Sequence, residues 1–218
     1  MVKKSGQKKT EAVPRGRKLS LGDSFRYGIE KTGKFFWPTL GIAILTQAVL
    51  VLLQILQVAS SILGIIVFLF FILVSVLITV GWIKILLAVL NGQKPALKYF
   101  SWDDVAYFWT MLGVYILTSL IVSVGYLLLV IPGVVWALTY ALAPLLVVDK
   151  NLSVTQALAA SRRYTTGHRW TLFLWYLAVG ALNLLGLLLV GVGLLFTLPV
   201  SFYSGAYMYG KLTGKTIK

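Results

Sequence analysis

Charged residues are absent from three long stretches of the chain, 35–83, 107–148 and 170–210. A helix needs about 20 apolar residues to cross the hydrocarbon core of a bilayer, and each stretch has roughly twice that length. One helix of about 40 residues would be about 60 Å long, far beyond the hydrocarbon thickness. Each stretch is therefore interpreted as two helices joined by a tight turn, which predicts six transmembrane helices arranged as three hairpins.

The overall composition supports a membrane protein. Apolar residues make up 59% of the chain and charged residues only 12%, against about a quarter in soluble domains. The mean hydropathy is +0.89. These values predict an all-α integral membrane protein. The chain has no cysteine, which excludes disulfides, thiolate nucleophiles and cysteine-bound metals.

Turn residues divide the three stretches. Pro132 lacks the N–H that a helix needs, and Gly133 can adopt a positive φ, so this pair predicts an outer turn. Gly191 and Gly193 predict a second outer turn, and a third is placed near residues 57–64. The predicted spans are 36–57, 62–89, 107–131, 134–149, 170–190 and 193–210.

The charges predict the orientation of these spans. All 20 Lys and Arg residues and all six acidic residues fall on one side of a six-span arrangement. Since Lys and Arg concentrate in cytoplasmic loops, both termini are predicted to be cytoplasmic, in a cell (inner or plasma) membrane. The predicted organisation is a disordered basic tail at 1–18, a membrane domain at 19–212 and a short tail at 213–218.

A short polar segment with an aromatic membrane entry precedes each predicted hairpin. Ser20 with Asp23, and Ser153 with Gln156, resemble capping boxes. The segments predict short cytoplasmic interfacial helices whose cations contact lipid headgroups. Their similarity fits either an internal duplication or the general enrichment of aromatic residues at membrane interfaces. The candidate headgroup-binding residues are Lys31, Lys34, Arg162, Arg163 and Arg169.

The motifs "IPG", "VVDKNLSVTQAL" and "TLPV" begin at Ile131, Val147 and Thr197. With the sequence around them, they make residues 19–212 resemble an uncharacterised prokaryotic family of multi-pass proteins. This family is labelled glycerophosphoryl diester phosphodiesterase membrane-domain-like, or YciC-like. The resemblance implies six spans and an inner-membrane location. It implies no substrate and no catalytic residues, because the phosphodiesterase in the label is a separate domain of fused relatives.

The sequence shows no pattern typical of an active site. Acid–base and metal chemistry need clustered titratable groups, but the chain has a single histidine, His168, and no acidic residue inside a span. Asp103 and Asp104 would point about 100° apart on a helix. They lie where a helix N-terminus favours negative charge. We therefore expect no enzymatic activity, no metal and no cofactor.

Polar residues inside the predicted spans leave two functions open. Gln47, Gln54 and Asn183 either form interhelical hydrogen bonds or line a polar path for a small solute or lipid. The leading hypothesis is a non-enzymatic protein that acts through lipids or membrane-protein partners on the cytoplasmic face. The alternative is a small transporter or channel.

Two charged residues at span ends need partners. Lys84 either snorkels to the headgroups or pairs with an acid such as Asp149 or Asp104. Asp149 is placed at a helix C-terminus, where the helix dipole disfavours an acid. An ion pair of Asp149 with Arg162, Arg163 or Lys150 is therefore predicted.

The tail "MVKKSGQKKTEAVPRGRK" carries seven Lys and Arg residues and no aromatic residue. Anionic lipid attracts such a segment by about 1 kcal/mol per charge near the surface. Binding to single-stranded nucleic acid would favour interleaved aromatic residues. The predicted partners are therefore the lipid bilayer, anionic lipids above all, with membrane-protein partners or a homo-oligomer, and no specific nucleic acid.

Overall fold

The structure, a computed structural model, describes residues 19–58, 61–189 and 191–217. The predicted tail at 1–18 lies outside these residues. The described residues contain helices and no strand. Five helices are long and apolar enough to cross a membrane by length and composition, which fits the predicted all-α membrane protein. The helices are α1 (Leu21–Val58), α2 (Ser61–Leu90), α3 (Phe108–Leu128), α4 (Val130–Tyr140), α5 (Ala143–Lys150), α6 (Val154–Thr165), α7 (Arg169–Leu188) and α8 (Leu194–Thr213), with 3-10 helices at Leu97–Tyr99 and Trp102–Tyr107.

The first interfacial segment and the first span form one helix, α1, where two elements were predicted. The helix kinks at Phe35, which has φ −121° and ψ 19°. Pro38 lies three residues later and cannot donate a hydrogen bond to the carbonyl of Lys34, so the helix bends here without ending. The predicted turn near residues 57–64 falls between α1 and α2, and residues 59–60 lie outside the described part of the chain.

The break between α3 and α4 occurs at Leu129, which is extended with φ −167° and ψ 154°. The predicted turn at Pro132 and Gly133 is therefore displaced by three residues. Pro132 lies in the first turn of α4, where a missing N–H costs nothing. Gly133 is helical and has no positive φ, so that expectation was wrong. In contrast, Gly191 has φ +77° and lies in the turn between α7 and α8.

The fourth predicted span is discontinuous. Helix α4 ends at Tyr140 and α5 begins at Ala143, with Pro144 in the first turn of α5. Proline cannot donate to the carbonyl of Tyr140, so it separates the two helices. Together α4 and α5 form one of the five candidate spans, Val130–Lys150.

The core lies at one end of the bundle, which carries most of the described charges. Tyr27 of α1, Leu90 of α2 and Leu146 of α5 belong to one buried cluster with Tyr164 of α6 and Leu212 of α8. We call this region the charged end. At the opposite end, residues 127–131 and most of residues 184–189 are exposed and apolar, as expected for surfaces covered by lipid.

Helix α8 packs against the first half of α1. The rings of Phe36 and Phe196 stack with their centroids 4.7 Å apart, and the rings of Tyr27 and Tyr207 lie 5.6 Å apart. The beginning of α8 thus lies beside Phe36, and α1 continues for 22 residues beyond it, about 33 Å at 1.5 Å per residue. The α7–α8 pair is set toward the charged end relative to α1 and α2.

Candidate functional site at the charged end

An ion pair connects α2 to the segment before α3. Lys84 Nζ lies 2.5 Å from Asp104 Oδ1, and Asp104 is only 2% exposed. Asp104 also accepts the backbone N–H of Ser101 at 3.4 Å, in a capping box at the start of the 3-10 helix. Of the two alternatives for Lys84, the structure therefore forms the pair with Asp104. Asp103 instead accepts from the Ser101 hydroxyl on the exposed side, so the two carboxylates do not converge.

Asp149 lies near the end of α5 with different partners from those predicted. The Tyr209 hydroxyl donates to Asp149 Oδ2 at 2.6 Å, and Lys215 Nζ pairs with Oδ1. Gly214, with φ +77°, turns the chain back after α8, which brings Lys215 to α5. Arg162 and Arg163 are exposed and form no ion pair with Asp149 within the described chain, so the predicted pairs with these two arginines were wrong. Lys215, which belongs to the segment predicted as a short tail at 213–218, thus contacts α5.

Helix α6 closes the break between α4 and α5. The Ser161 hydroxyl donates to the carbonyl of Thr139 at 2.7 Å and accepts the N–H of Leu142 at 3.3 Å. The Thr165 hydroxyl lies 3.2 Å from the same carbonyl. Backbone groups freed by a broken helix are costly in an apolar setting unless they find partners. The buried face of α6 supplies those partners, so α6 is an integral part of the bundle as well as a surface helix.

The predicted headgroup-binding cations differ in their exposure. Arg162 and Arg163 project from the outer face of α6, and Lys34 is exposed on α1. Arg169 is half-buried at the start of α7. Lys31 is only 7% exposed, and its ammonium lies 5.1 Å from the centre of the Tyr27 ring. Lys31 is thus part of the packing between α1 and α8 and does not present its charge on the surface.

Exposed tryptophans border the charged segments. They are at least 70% exposed and lie within a few residues of the charges that flank α1, α3 and α7. Tryptophan concentrates at the headgroup level of membranes because its ring is amphipathic. The positions suit an interfacial belt. The four residues are Trp37, Trp102, Trp109 and Trp170.

An open cleft of about 490 Å³ lies between α1 and α8, beside the kink in α1. The stacked rings of Phe36 and Phe196 form part of its wall. The Thr32 hydroxyl is buried and makes no hydrogen bond within the described chain. This hydroxyl is not open to the cleft, so the cleft offers a ligand an apolar lining that suits an acyl chain. The lining residues are Ile29, Thr32, Gly33, Phe36, Trp37, Phe196 and Val200.

The predicted intramembrane polar residues divide into two groups. Asn183 of α7 hydrogen-bonds the Ser201 hydroxyl of α8 at 3.1 Å, as an interhelical contact. Gln47 and Gln54 of α1 are exposed, and their amides make no hydrogen bond within the described part of the chain. The structure thus gives no interhelical partner to either glutamine.

The described residues contain no group of three or more His, Cys, Asp or Glu side chains that could hold a metal ion. His168 is half-buried and precedes the first residue of α7. No protein-family model matches the chain. No solved structure matches it either.

Several residues of the charged end were not predicted. Tyr209 and Lys215 lie 60 and 66 residues from their partner Asp149, and no local pattern indicates contacts over that distance. Ser161 and Thr165 had a usable signal, because they follow Ala157 and Leu158 at helical spacing on the apolar face of α6. Polar residues on an apolar face predict a buried hydrogen-bond partner.

Proposed function

We propose that this protein is a non-enzymatic multi-pass membrane protein that binds phospholipids at its charged end, on the cytoplasmic side of a cell membrane. The observation that carries this proposal is the α1–α8 cleft, whose apolar lining lies beside the charged residues of the first part of α1. Membership of the glycerophosphoryl diester phosphodiesterase membrane-domain-like family is part of the proposal. It rests on the motif resemblance alone.

The chemistry of the cleft fits a glycerophospholipid. The Phe36 and Phe196 rings offer an apolar wall for the upper part of an acyl chain. Lys34 is exposed on the same helix but does not line the cleft, since residues two apart do not share a helix face. Its charge acts on an anionic headgroup only at longer range. Arg26, Glu30 and Lys34 follow each other at four-residue spacing, so this edge of α1 keeps one net positive charge.

The proposed topology has six spans in three hairpins, with both termini cytoplasmic. Helix α8 is the sixth span, although it is not among the five candidates by composition. Its polar and aromatic residues are mostly buried by other helices, including Tyr203, Ser204 and Tyr209, so it needs less apolar surface than a lipid-exposed helix. Because α8 begins beside Phe36, about 33 Å short of the end of α1, the α7–α8 hairpin lies closer to the cytoplasm than the other two and its turn stays within the membrane.

Native mass spectrometry tests the lipid proposal. The protein is purified in a mild detergent and equilibrated with equal amounts of phosphatidylglycerol and phosphatidylcholine. A Cβ at Gly33 would meet no atom within 4 Å, so Gly33→Leu can fill the cleft without disturbing the fold. We expect Gly33→Leu to lose the bound lipid. Thr32→Val should bind lipid like the wild type, because the hydroxyl is not open to the cleft.

Gly180→Leu is the matched control. Gly180 is also exposed and also has open space around its Cβ, but it lies on α7. The Gly180→Leu variant should bind lipid like the wild type. Lys34→Gln should lower the preference for phosphatidylglycerol over phosphatidylcholine. Equal lipid retention by Gly33→Leu and Gly180→Leu would show that the cleft does not bind lipid.

A small transporter or channel is the second candidate, and the discontinuous α4–α5 helix favours it, since transporters often bind substrates at broken helices. However, the carbonyl of Thr139 and the N–H of Leu142 at this break already have partners on α6. A substrate would have to displace Ser161. Uptake that requires Ser161 in reconstituted vesicles would support transport over lipid binding.

A further inference from the structure

Two glutamines project from α1 where no other helix covers it. Gln47 and Gln54 are both exposed, and neither amide has a hydrogen-bond partner in the described residues. Gln47 lies ten residues beyond the exposed Trp37, about 15 Å along the helix. If Trp37 marks the interface, Gln47 lies near the middle of the hydrocarbon. An amide at that depth strongly favours a hydrogen-bond partner over lipid tails.

The glutamines belong to a regularly spaced row of four exposed residues on α1, which we call the seam. Ile44, Gln47, Val51 and Gln54 are separated by three, four and three residues, and all four are exposed. This spacing is that of the core positions of a left-handed pair of helices. β-Branched residues at one core position favour a parallel dimer, and polar residues at the other fix its register.

We propose that α1 forms a parallel homodimer along this seam, with a second copy of the chain as the partner. Every copy inserts in the membrane with the same orientation, so a two-fold axis along the membrane normal makes two α1 helices parallel. Gln47 then meets Gln47 of the other copy, and Gln54 meets Gln54. A primary amide both donates and accepts, so each glutamine is complementary to itself.

The rest of α1 and its neighbours leave room for this contact. Helix α8 begins beside Phe36, and the exposed seam starts eight residues further along, at Ile44. The other exposed residues in this half of α1, such as Leu45 and Leu52, are apolar and suit lipid. The dimer seam and the phospholipid cleft therefore lie on different parts of α1, and the dimer does not depend on the proposed function.

Cysteine cross-linking tests the seam directly, because the chain has no native cysteine. Val51→Cys places a thiol on the proposed axis. Val49→Cys is the matched control, because both valines are 42% exposed on the same helix but point to different sides. In native membranes under mild oxidation, Val51→Cys should form a disulfide-linked dimer and Val49→Cys should not, since a disulfide needs Cα atoms within about 7 Å.

Replacing both glutamines tests whether their amides stabilise the proposed dimer. Gln47→Leu/Gln54→Leu, combined with Val51→Cys, should lower the association constant about tenfold, and the cross-linked fraction with it. Gln57→Leu, which changes a half-buried glutamine off the seam, should leave cross-linking unchanged. Equal cross-linking at Val49 and Val51 would overturn the proposal. Full cross-linking without the two glutamines, or no cross-linking at Val51, would overturn it too.

Discussion

At the scale of single residues, Gly133 matters for its small size. A Cβ at this position would lie 2.6 Å from the Tyr126 ring, because α3 and α4 approach closely here. Gly133→Ala should therefore destabilise the protein by about 1–3 kcal/mol through overpacking. Gly180→Ala, where a Cβ would meet nothing within 4 Å, should not. Thermal unfolding in detergent compares the melting temperatures of the two variants. Equal values would contradict the close approach of α3 and α4 at Gly133.

The Lys84–Asp104 pair supplies a second prediction at this scale. Lys84→Met leaves the carboxylate of Asp104 buried without its cation. Since the lysine side chain is 30% exposed, we expect a loss of about 1–3 kcal/mol, less than for a fully buried pair. The double variant Lys84→Met/Asp104→Leu should recover part of this loss, because no buried charge remains. A chemical denaturation series that places the double variant below Lys84→Met would contradict this account.

At the scale of elements, α6 should depend on its hydrogen bonds to the α4–α5 break. Ser161→Ala leaves the carbonyl of Thr139 and the N–H of Leu142 with fewer partners, at a cost of about 1–3 kcal/mol. Hydrogen exchange should become faster in α6 and around residues 139–142. Thr155→Ala changes an exposed residue of the same helix and should leave exchange unchanged. Unchanged exchange in Ser161→Ala would show that α6 docks by other contacts.

The elements also show what the sequence predicts and what it does not. Long apolar stretches predicted an all-α membrane protein, and five helices are long and apolar enough to cross a membrane, because burial of apolar residues in lipid depends on composition and length. Pro38 and Pro144 coincide with the kink at Phe35 and with the start of α5, but only contacts show whether a proline bends a helix or lies in its first turn, as Pro132 does in α4. The partners of Asp149 and the docking of α6 depend on contacts between distant segments, which local patterns do not contain.

At the scale of the whole molecule, the charges and the buried core occur together at one end. This arrangement is the reverse of a soluble protein, where charges lie far from the core. Apolar side chains elsewhere can face lipid, so only the end that meets water and headgroups requires dense packing and paired charges. The proposed lipid cleft lies at the border of this end, before the part of α1 that carries the dimer seam.

The proposed lipid binding on the cytoplasmic side requires that all charged segments face the cytoplasm. Single cysteines at Asn91, Thr155 and Ile131 in the cysteine-free chain can be labelled with a membrane-impermeant maleimide in sealed right-side-out vesicles. We expect Ile131→Cys to react at once, and Asn91→Cys and Thr155→Cys to react only after permeabilisation. Labelling of Asn91→Cys or Thr155→Cys in sealed vesicles would contradict the cytoplasmic placement of the charged end, and with it the proposed site of lipid binding.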